Sequence, residues 1–197
     1  MKIVPAAHPG GFQLTSRAAR LAGLRPGMSL LDVGCGVGAS LETLARECGI
    51  VPFGVDISGD LIAVARDRMP GAALRVCDAA ALPFADESFD AVICECTLSL
   101  VGDAAAVLRE SARVLMPGGT LIASDVCSPD DFDRIKTSFE SAGLSVTHFE
   151  EHKPALITYA AELRMNAKIP PREHAPPRPL GTTPSTYYLA ICKKQPT

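Results

Sequence analysis

The sequence predicts an α/β fold: a mainly parallel sheet covered by helices on both faces. Three observations carry that expectation. Apolar segments of strand length alternate with helical segments from about residue 16 to residue 150, the pattern of crossovers between parallel strands. A turn rich in glycine (Gly34, Gly36, Gly38) joins the first apolar strand to a helix. Acids stand at the ends of the next two strands, Asp56 and Asp78.

The elements follow in chain order. SRAARLAGL (16–24) reads as a short helix with Thr15 or Ser16 as its N-cap, because a hydroxyl there can accept from the free N–H groups of the first turn. SLLDVG (29–34) is a buried strand, and ASLETLARECG (39–49) a helix closed by Gly49, since glycine readily takes the left-handed conformation that ends a helix. VPFGVDI, DLIAVARDRM and the third strand within GAALRVCDA continue the alternation. FDAVICE is the fourth strand, DAAAVLRESARVL the next helix, MPGG a turn and TLIASDV the fifth strand. SPDDFDRIKTSFESAG begins with Ser128 as cap and Pro129 at the first helical position, and stops at Gly143. LSVTHFEE and STYYLAICKK alternate as half-buried strands. Between them, IPPREHAPPRPLGTTP (169–184) holds six prolines and cannot form a continuous helix or an inner strand. It is either a surface loop or a lid over a ligand.

The chemistry concentrates at the glycine turn. Glycines at a strand-to-helix junction permit a tight turn and let a ligand approach the backbone, and the following helix aims its free N–H groups there. Asp32 lies two residues earlier inside an apolar strand, where a charge is costly without a partner. It fixes the glycine loop or faces a bound cation. Asp56 ends the second strand, about 20 residues after the glycines, where an acid can accept both hydroxyls of a ribose. Asp78 ends the third strand and can accept from an adenine amine. Alone, each would read as a turn or cap residue. Together they mark the carboxyl edge of a sheet, where such folds bind ligands.

These residues resemble the class I S-adenosylmethionine-dependent methyltransferases. LLDVGCGVG is similar to their first motif and VDIS to the acidic end of their second strand. CDAAALPFADESFDAVI is similar to a run in the ubiquinone- and sterol-type subgroup, and VLMPGGTLIASD to the turn into their fifth strand. HPGGFQLTSRAARLAGLRPG resembles an N-terminal segment of some small members. The resemblance covers about residues 8–127, and STYYLAICKK suits their last, antiparallel strand. It implies a Rossmann-like seven-stranded sheet, mainly parallel with an antiparallel last strand, in one domain, 1–197. That domain would divide into an N-terminal cover and helix (1–28), a cofactor-binding core (29–127) and a C-terminal part (128–197).

The resemblance also implies S-adenosylmethionine as cofactor and methyl transfer to a small-molecule acceptor. Gly34, Cys35 and Gly36 would line the methionine end through their backbone. Asp56 would hold the ribose, with Ile57 packing on the adenine, while Asp78 and Ala79 would read the adenine edge. Glu95 and Cys96, after the fourth strand, would lie beside the methionine and the sulfonium, and Thr15 would reach the cofactor's carboxylate. Many relatives carry a histidine or an aromatic residue after the fourth strand. This chain has TLSLVGD there, so no general base is carried over. Glu95, His8, His148, His152 and Tyr159 are the groups from which one could come. HPGGF would fold over the cofactor as a cover, bent at its two glycines.

Five of the seven cysteines (Cys35, Cys77, Cys94, Cys96, Cys127) fall at strand ends on the ligand edge; Cys48 and Cys192 do not. They read either as small buried hydrophobes or as thiols for a soft substrate or ion. Cys94-Glu95-Cys96 lacks the two-residue gap of a zinc or redox pair, and no metal site is expected. An odd count in a chain of 197 residues suits reduced thiols in a cytoplasmic protein. A net charge of −3 argues against a nucleic-acid partner. No apolar run approaches the roughly 20 residues that span a bilayer, and MKIVPAAHPGGF lacks a signal-peptide core. A monomer or homodimer is expected. Two other readings stay open: a non-catalytic adenosylmethionine-binding protein, and a nicotinamide-dependent oxidoreductase, since GCGVGA also fits a dinucleotide turn. The oxidoreductase would want an apolar residue at position 32 and usually lacks the Asp78 run.

Overall fold

The computed structural model describes residues 8–165 and 185–195. The proline-rich stretch 169–184, and its reading as a loop or lid, lie outside these described residues. The elements are α1 (Gly11–Ala22), β1 (Ser29–Val33), α2 (Ala39–Cys48), β2 (Val51–Asp56), α3 (Gly59–Arg68), β3 (Ala73–Val76) and β4 (Phe89–Glu95). After these come α4 (Ala104–Val114), β5 (Leu115–Cys127), α5 (Phe132–Ser141), β6 (Leu144–Glu151), α6 (Lys153–Met165) and β7 (Thr186–Lys194). The seven strands form one sheet in the order β3-β2-β1-β4-β5-β7-β6. β7 runs antiparallel between β5 and β6, and the other pairings are parallel. The expected architecture, including the antiparallel last strand, is the observed one.

Period-two alternation explains how the sheet is covered. Leu30 and Ile93 join a core with Leu14, Leu41, Leu44 and Ile62 on one face. Their neighbours Leu31 and Val92 join Val107, Leu121 and Phe139 on the other. Successive side chains of a strand point to opposite faces, so a strand buried on both sides must be apolar at nearly every position. Each such side chain, fully buried, stabilises the fold by about 1.5–3 kcal/mol. The order of strands reverses between β1 and β4, and that is where β1 ends in the glycine turn. Open α/β sheets form their ligand crevice at such a reversal.

Two local expectations change. The first helix begins at Gly11 rather than Ser16, with Gly10 before it at φ +79 and no side-chain cap. Thr15 therefore stands inside the helix, fully buried, and its hydroxyl is free for another use. The bend expected at Gly10 and Gly11 is present: both have positive φ. The second change is in MPGG, which is absorbed into β5 as an irregularity, with the β4 pairing slipping between Phe89 and Ala91. Ser128 does cap the short turn at Pro129–Asp131, accepting from the Asp130 N–H at 3.4 Å.

Candidate functional site

The glycine turn is held from three sides. Gly34 has φ +79, and a Cβ there would overlap the Thr97 side chain, so both backbone and space require glycine. Thr97 is locked by donating to the Val33 carbonyl at 2.9 Å. The N–H groups of Gly34 and Cys35 both donate to the Val55 carbonyl, at 2.8 and 2.9 Å. The Gly36 N–H donates to Asp56 Oδ2 at 2.8 Å, and the other Asp56 oxygen accepts from Ser58 N–H at 2.8 Å. These three turn N–H groups are thus satisfied inside the protein rather than turned outward. The Cys35 thiol packs over Gly54, where an added Cβ would come within 2.9 Å of the sulfur.

The end of β4 makes the opposite wall. Cys96 has φ +52, one of two non-glycine residues with positive φ among the described residues. That conformation is costly for a side chain with a Cβ and is held by its surroundings. The Cys96 N–H donates to the Ser124 carbonyl at 2.8 Å, and its sulfur lies 3.3 Å from the Tyr187 hydroxyl, which donates to Ser124 Oγ at 3.0 Å. Asp125, buried on β5, accepts from the Ser99 N–H and hydroxyl at 2.8 and 2.6 Å and so pins the loop after β4. Sequence reasoning missed Tyr187, Ser124 and Asp125. Only Asp125 left a signal, as an acid inside the apolar TLIASDV strand.

His8 and Thr15 line this end of the site beside Glu95. Thr15 donates to Glu95 Oε1 at 3.0 Å and approaches Oε2 at 3.2 Å. His8, also buried, has Nδ1 3.1 Å from the Pro9 carbonyl. Its Nε2 lies 3.4 Å from Glu95 Oε2, 3.3 Å from Thr15 Oγ1 and 3.5 Å from Ser40 Oγ. Of HPGGF, expected as a cover over the cofactor, His8 stands beside Glu95.

Electrostatically the crevice is acid-lined. Burial, with Glu95 and Asp56 nearby, pushes the Asp32 carboxyl well above the usual carboxylate range. Three carboxylates therefore bear on one strand end. Ile57, beside Asp56, is 76% exposed, leaving an apolar face open to a flat ligand. Asp78 lies in an exposed turn after β3, where it accepts from the Ala80 N–H at 2.9 Å, and Ala79 is half-buried next to it.

The remaining expected groups fall elsewhere. Glu150 accepts from Arg17 twice at 2.8 Å, and His148 and His152 approach it at 3.1 and 2.7 Å. This cluster ties α1 to β6, and both histidines belong to it. Tyr159 is half-buried on α6. Burial raises every cysteine thiol: Cys94, Cys127 and Cys192 to about 12, and Cys35, Cys48, Cys77 and Cys96 also upward. They stay protonated at neutral pH, and thiols rather than thiolates make poor soft-metal ligands. Among the described residues no group of three or more His, Cys, Asp or Glu is placed to hold a metal ion. The pKa shifts and the packing of Cys35 favour the small-hydrophobe reading of the strand-end cysteines.

Comparison with known proteins decides what kind of crevice this is. Residues 31–123, from β1 to β5, match the family described as the methyltransferase domain. This stretch is similar to a methyltransferase domain. Its relatives include methyltransferase GfsG of Streptomyces halstedii, 33% identical over 162 residues (76% of this chain, 58% of the relative). A demethylmenaquinone methyltransferase of Beutenbergia cavernae is 40% identical over 107 residues (54% of this chain, 44% of the relative). The chain spans between about two fifths and three fifths of these relatives' lengths. The methyltransferase fold also superposes on Haemonchus contortus phosphoethanolamine N-methyltransferase 2 in complex with S-adenosyl-L-methionine. The TM-score is 0.78 at 18% identity, covering 96% of this chain and 54% of that one. The resemblance to class I adenosylmethionine-dependent methyltransferases holds in fold and in the core motifs.

Proposed function

We propose that this protein is an S-adenosylmethionine-dependent methyltransferase acting on a small molecule, with residues 1–197 working as one unit. The observation that carries the reading is the sign of the crevice. A dinucleotide pyrophosphate needs N–H groups turned outward at the glycine turn. Here the N–H groups of Gly34, Cys35 and Gly36 are spent on Val55 and Asp56, and acids Asp32, Asp56 and Glu95 surround the turn. Such a site suits a cation and repels an anion, which disfavours the nicotinamide reading.

In this proposal Asp56 holds the ribose hydroxyls, Ile57 packs on the adenine, and Asp78 with Ala79 reads its amine edge. Asp32, Gly34, Cys35, Gly36, Thr15, Glu95 and Cys96 surround the methionine end. The bound cofactor supplies an electrophilic methyl on a sulfonium with a good leaving group. The chain's own work is to orient the two reactants and exclude water. The buried His8 and Thr15 side chains do the latter on the Glu95 side. Net charge −3 disfavours a nucleic-acid partner, and in this proposal the protein is a cytoplasmic monomer or homodimer.

Titration calorimetry with S-adenosylmethionine and with NAD tests the reading. Adenosylmethionine should bind and NAD should not; the reverse result sinks the methyltransferase reading. Turnover with methyl-labelled cofactor over quinols and amines then separates an enzyme from a non-catalytic binder.

A further inference from the structure

The segment between β3 and β4, residues 77–88, has no helix or strand, yet it carries Asp78 and Ala79. Its first residue is tied to β2, where the Cys77 N–H donates to the Asp56 carbonyl at 3.0 Å. The turn that follows, Asp78 to Ala81, closes on itself. The Ala81 N–H donates to the Asp78 carbonyl at 3.1 Å and the Ala80 N–H to Asp78 Oδ1 at 2.9 Å. Residues 79–81 are alanines, so no long side chain anchors the turn. Its far end is fixed from α4, where Glu110 and Arg113 stand three residues apart on one face. Glu110 Oε2 accepts from the Leu82 N–H at 2.8 Å. Arg113 donates from Nη2 to the Leu82 carbonyl at 3.0 Å, and from Nη1 to the Phe84 carbonyl at 2.9 Å and to Asp86 Oδ1 at 2.7 Å. Its Nε and Nη2 also fork onto Glu110 at 2.7 and 2.8 Å, so all five N–H groups of the guanidinium have acceptors. The Arg113 carbonyl accepts in turn from the Glu87 N–H at 3.0 Å.

One helical residue thus holds the loop at Leu82, Phe84 and Glu87, while α4 itself is seated on the sheet through buried Val107, Leu108, Ala112 and Val114. The place of the sheet is passed to the loop through these polar contacts. We propose that Glu110 and Arg113 are positioning residues for the adenine edge. They fix the turn from Asp78 to Ala81 where Asp78 and Ala79 read the base, and so set nucleobase specificity without belonging to that edge. The inference rests on the methyltransferase reading above and adds to it two residues that lie on neither the glycine turn nor a strand end. A hydrogen bond to a base weakens steeply with misalignment, so a turn held at Cys77 alone would lose its selectivity before its fold. Lysine cannot take the place of Arg113, because an ammonium lacks the planar fork that spans Glu110 and two carbonyls at once. Hydrogen bonding to Arg113 holds the Glu110 carboxyl below the usual carboxylate range, which keeps the pair charged at neutral pH.

Calorimetric titration of the full chain with S-adenosylhomocysteine and with S-inosylhomocysteine tests this. The two ligands differ at the edge in question, where hypoxanthine has a carbonyl and a ring N–H in place of adenine's amine and ring nitrogen. Wild type should prefer the adenosyl ligand by about 10- to 100-fold, the range for a hydrogen bond to a charged group. Asp78→Ala should abolish that preference. Arg113→Lys should lose most of it, through weaker binding of the adenosyl ligand with the inosyl ligand unchanged, and Glu110→Gln should lose part. A clamp that only stabilised the fold would lower the melting temperature and leave the ratio intact. Binding of the inosyl ligand reports that each variant is folded; if Arg113→Lys is not, Glu110→Gln decides alone. An unchanged ratio in the folded variants, or equal loss for both ligands, overturns the positioning role. A wild type without preference, or an Asp78→Ala variant that keeps it, overturns the adenine assignment of Asp78 and the positioning role with it. Failure of wild type to bind either ligand overturns the methyltransferase reading itself.

Discussion

Helix α1 grips two acids, and the two grips are unlike. On its buried side Thr15 holds Glu95, at the end of β4. On its exposed side Arg17 holds Glu150, on β6. Glu150 is fully matched: a guanidinium engages it through two hydrogen bonds and two histidines flank it. Hydrogen bonding to Arg17, first, and then to the histidines holds its carboxyl well below the usual carboxylate range. Around Glu95 the balance is reversed. Burial and the neighbouring acids hold Asp32 well above that range, and His8 is the one basic side chain paired to Glu95 among the described residues. An acid whose charge is answered within the fold is architecture. An acid crowded by others at a sheet's ligand edge is a site whose counter-charge arrives with the ligand. Both clusters contain histidine and carboxylate, so composition alone could not separate them.

The largest effect should come from the turn itself. Gly34→Ala forces a side chain into left-handed backbone, which costs about 1–2 kcal/mol, and drives its Cβ into Thr97. The melting temperature should fall by roughly 5 °C or more, and adenosylmethionine binding should disappear at concentrations that saturate wild type. A variant that binds normally would show that the glycine turn does not shape the crevice.

Asp32→Asn comes next and should move stability and binding in opposite directions. The folded protein raises the Asp32 carboxyl above its unfolded value. Its contribution is therefore most favourable below the ordinary aspartate range, near pH 3.9, and is lost as pH rises toward the folded value. Asparagine has no charge to bury, so the variant should melt higher than wild type, by a margin that widens from pH 5 to pH 8. Affinity for cationic adenosylmethionine should fall about 10-fold, since one carboxylate of the crevice is gone. A margin that stays constant with pH would mean that Asp32 carries no strained charge.

The fold, with its glycine turn and its acids at strand ends, was readable in the sequence because each depends on local pattern. Strands of period two, a glycine turn and acids at strand ends are visible without three-dimensional information. Thr15 shows the limit. Its hydroxyl looked like a helix cap, and it took the early helix start, set by Gly10 and Gly11 at positive φ, to turn it toward β4. Tyr187 lies 91 residues from Cys96 and meets it only because β7 inserts antiparallel beside β5. His148 and His152 looked as eligible for chemistry as His8. What separates them is a partner on another element, Arg17 from α1, and such pairings leave no trace in local sequence.

The smallest effect should come from the matched cluster. Glu150→Gln removes the charge that Arg17, His148 and His152 face while keeping nearly the same shape. Because folding lowers the Glu150 carboxyl, its stabilisation is present above the unfolded glutamate value, near pH 4.3, and is lost as pH falls toward the folded one. The variant should therefore melt slightly below wild type at pH 7, with the gap closing in acid. Arg17 is 46% exposed, so salt should close part of the gap as well. Adenosylmethionine affinity should not change, because every charge the cluster presents is already answered within it. If Glu150→Gln weakened ligand binding as much as Asp32→Asn, the two grips of α1 would be one connected device, and the division between architecture and site would fail.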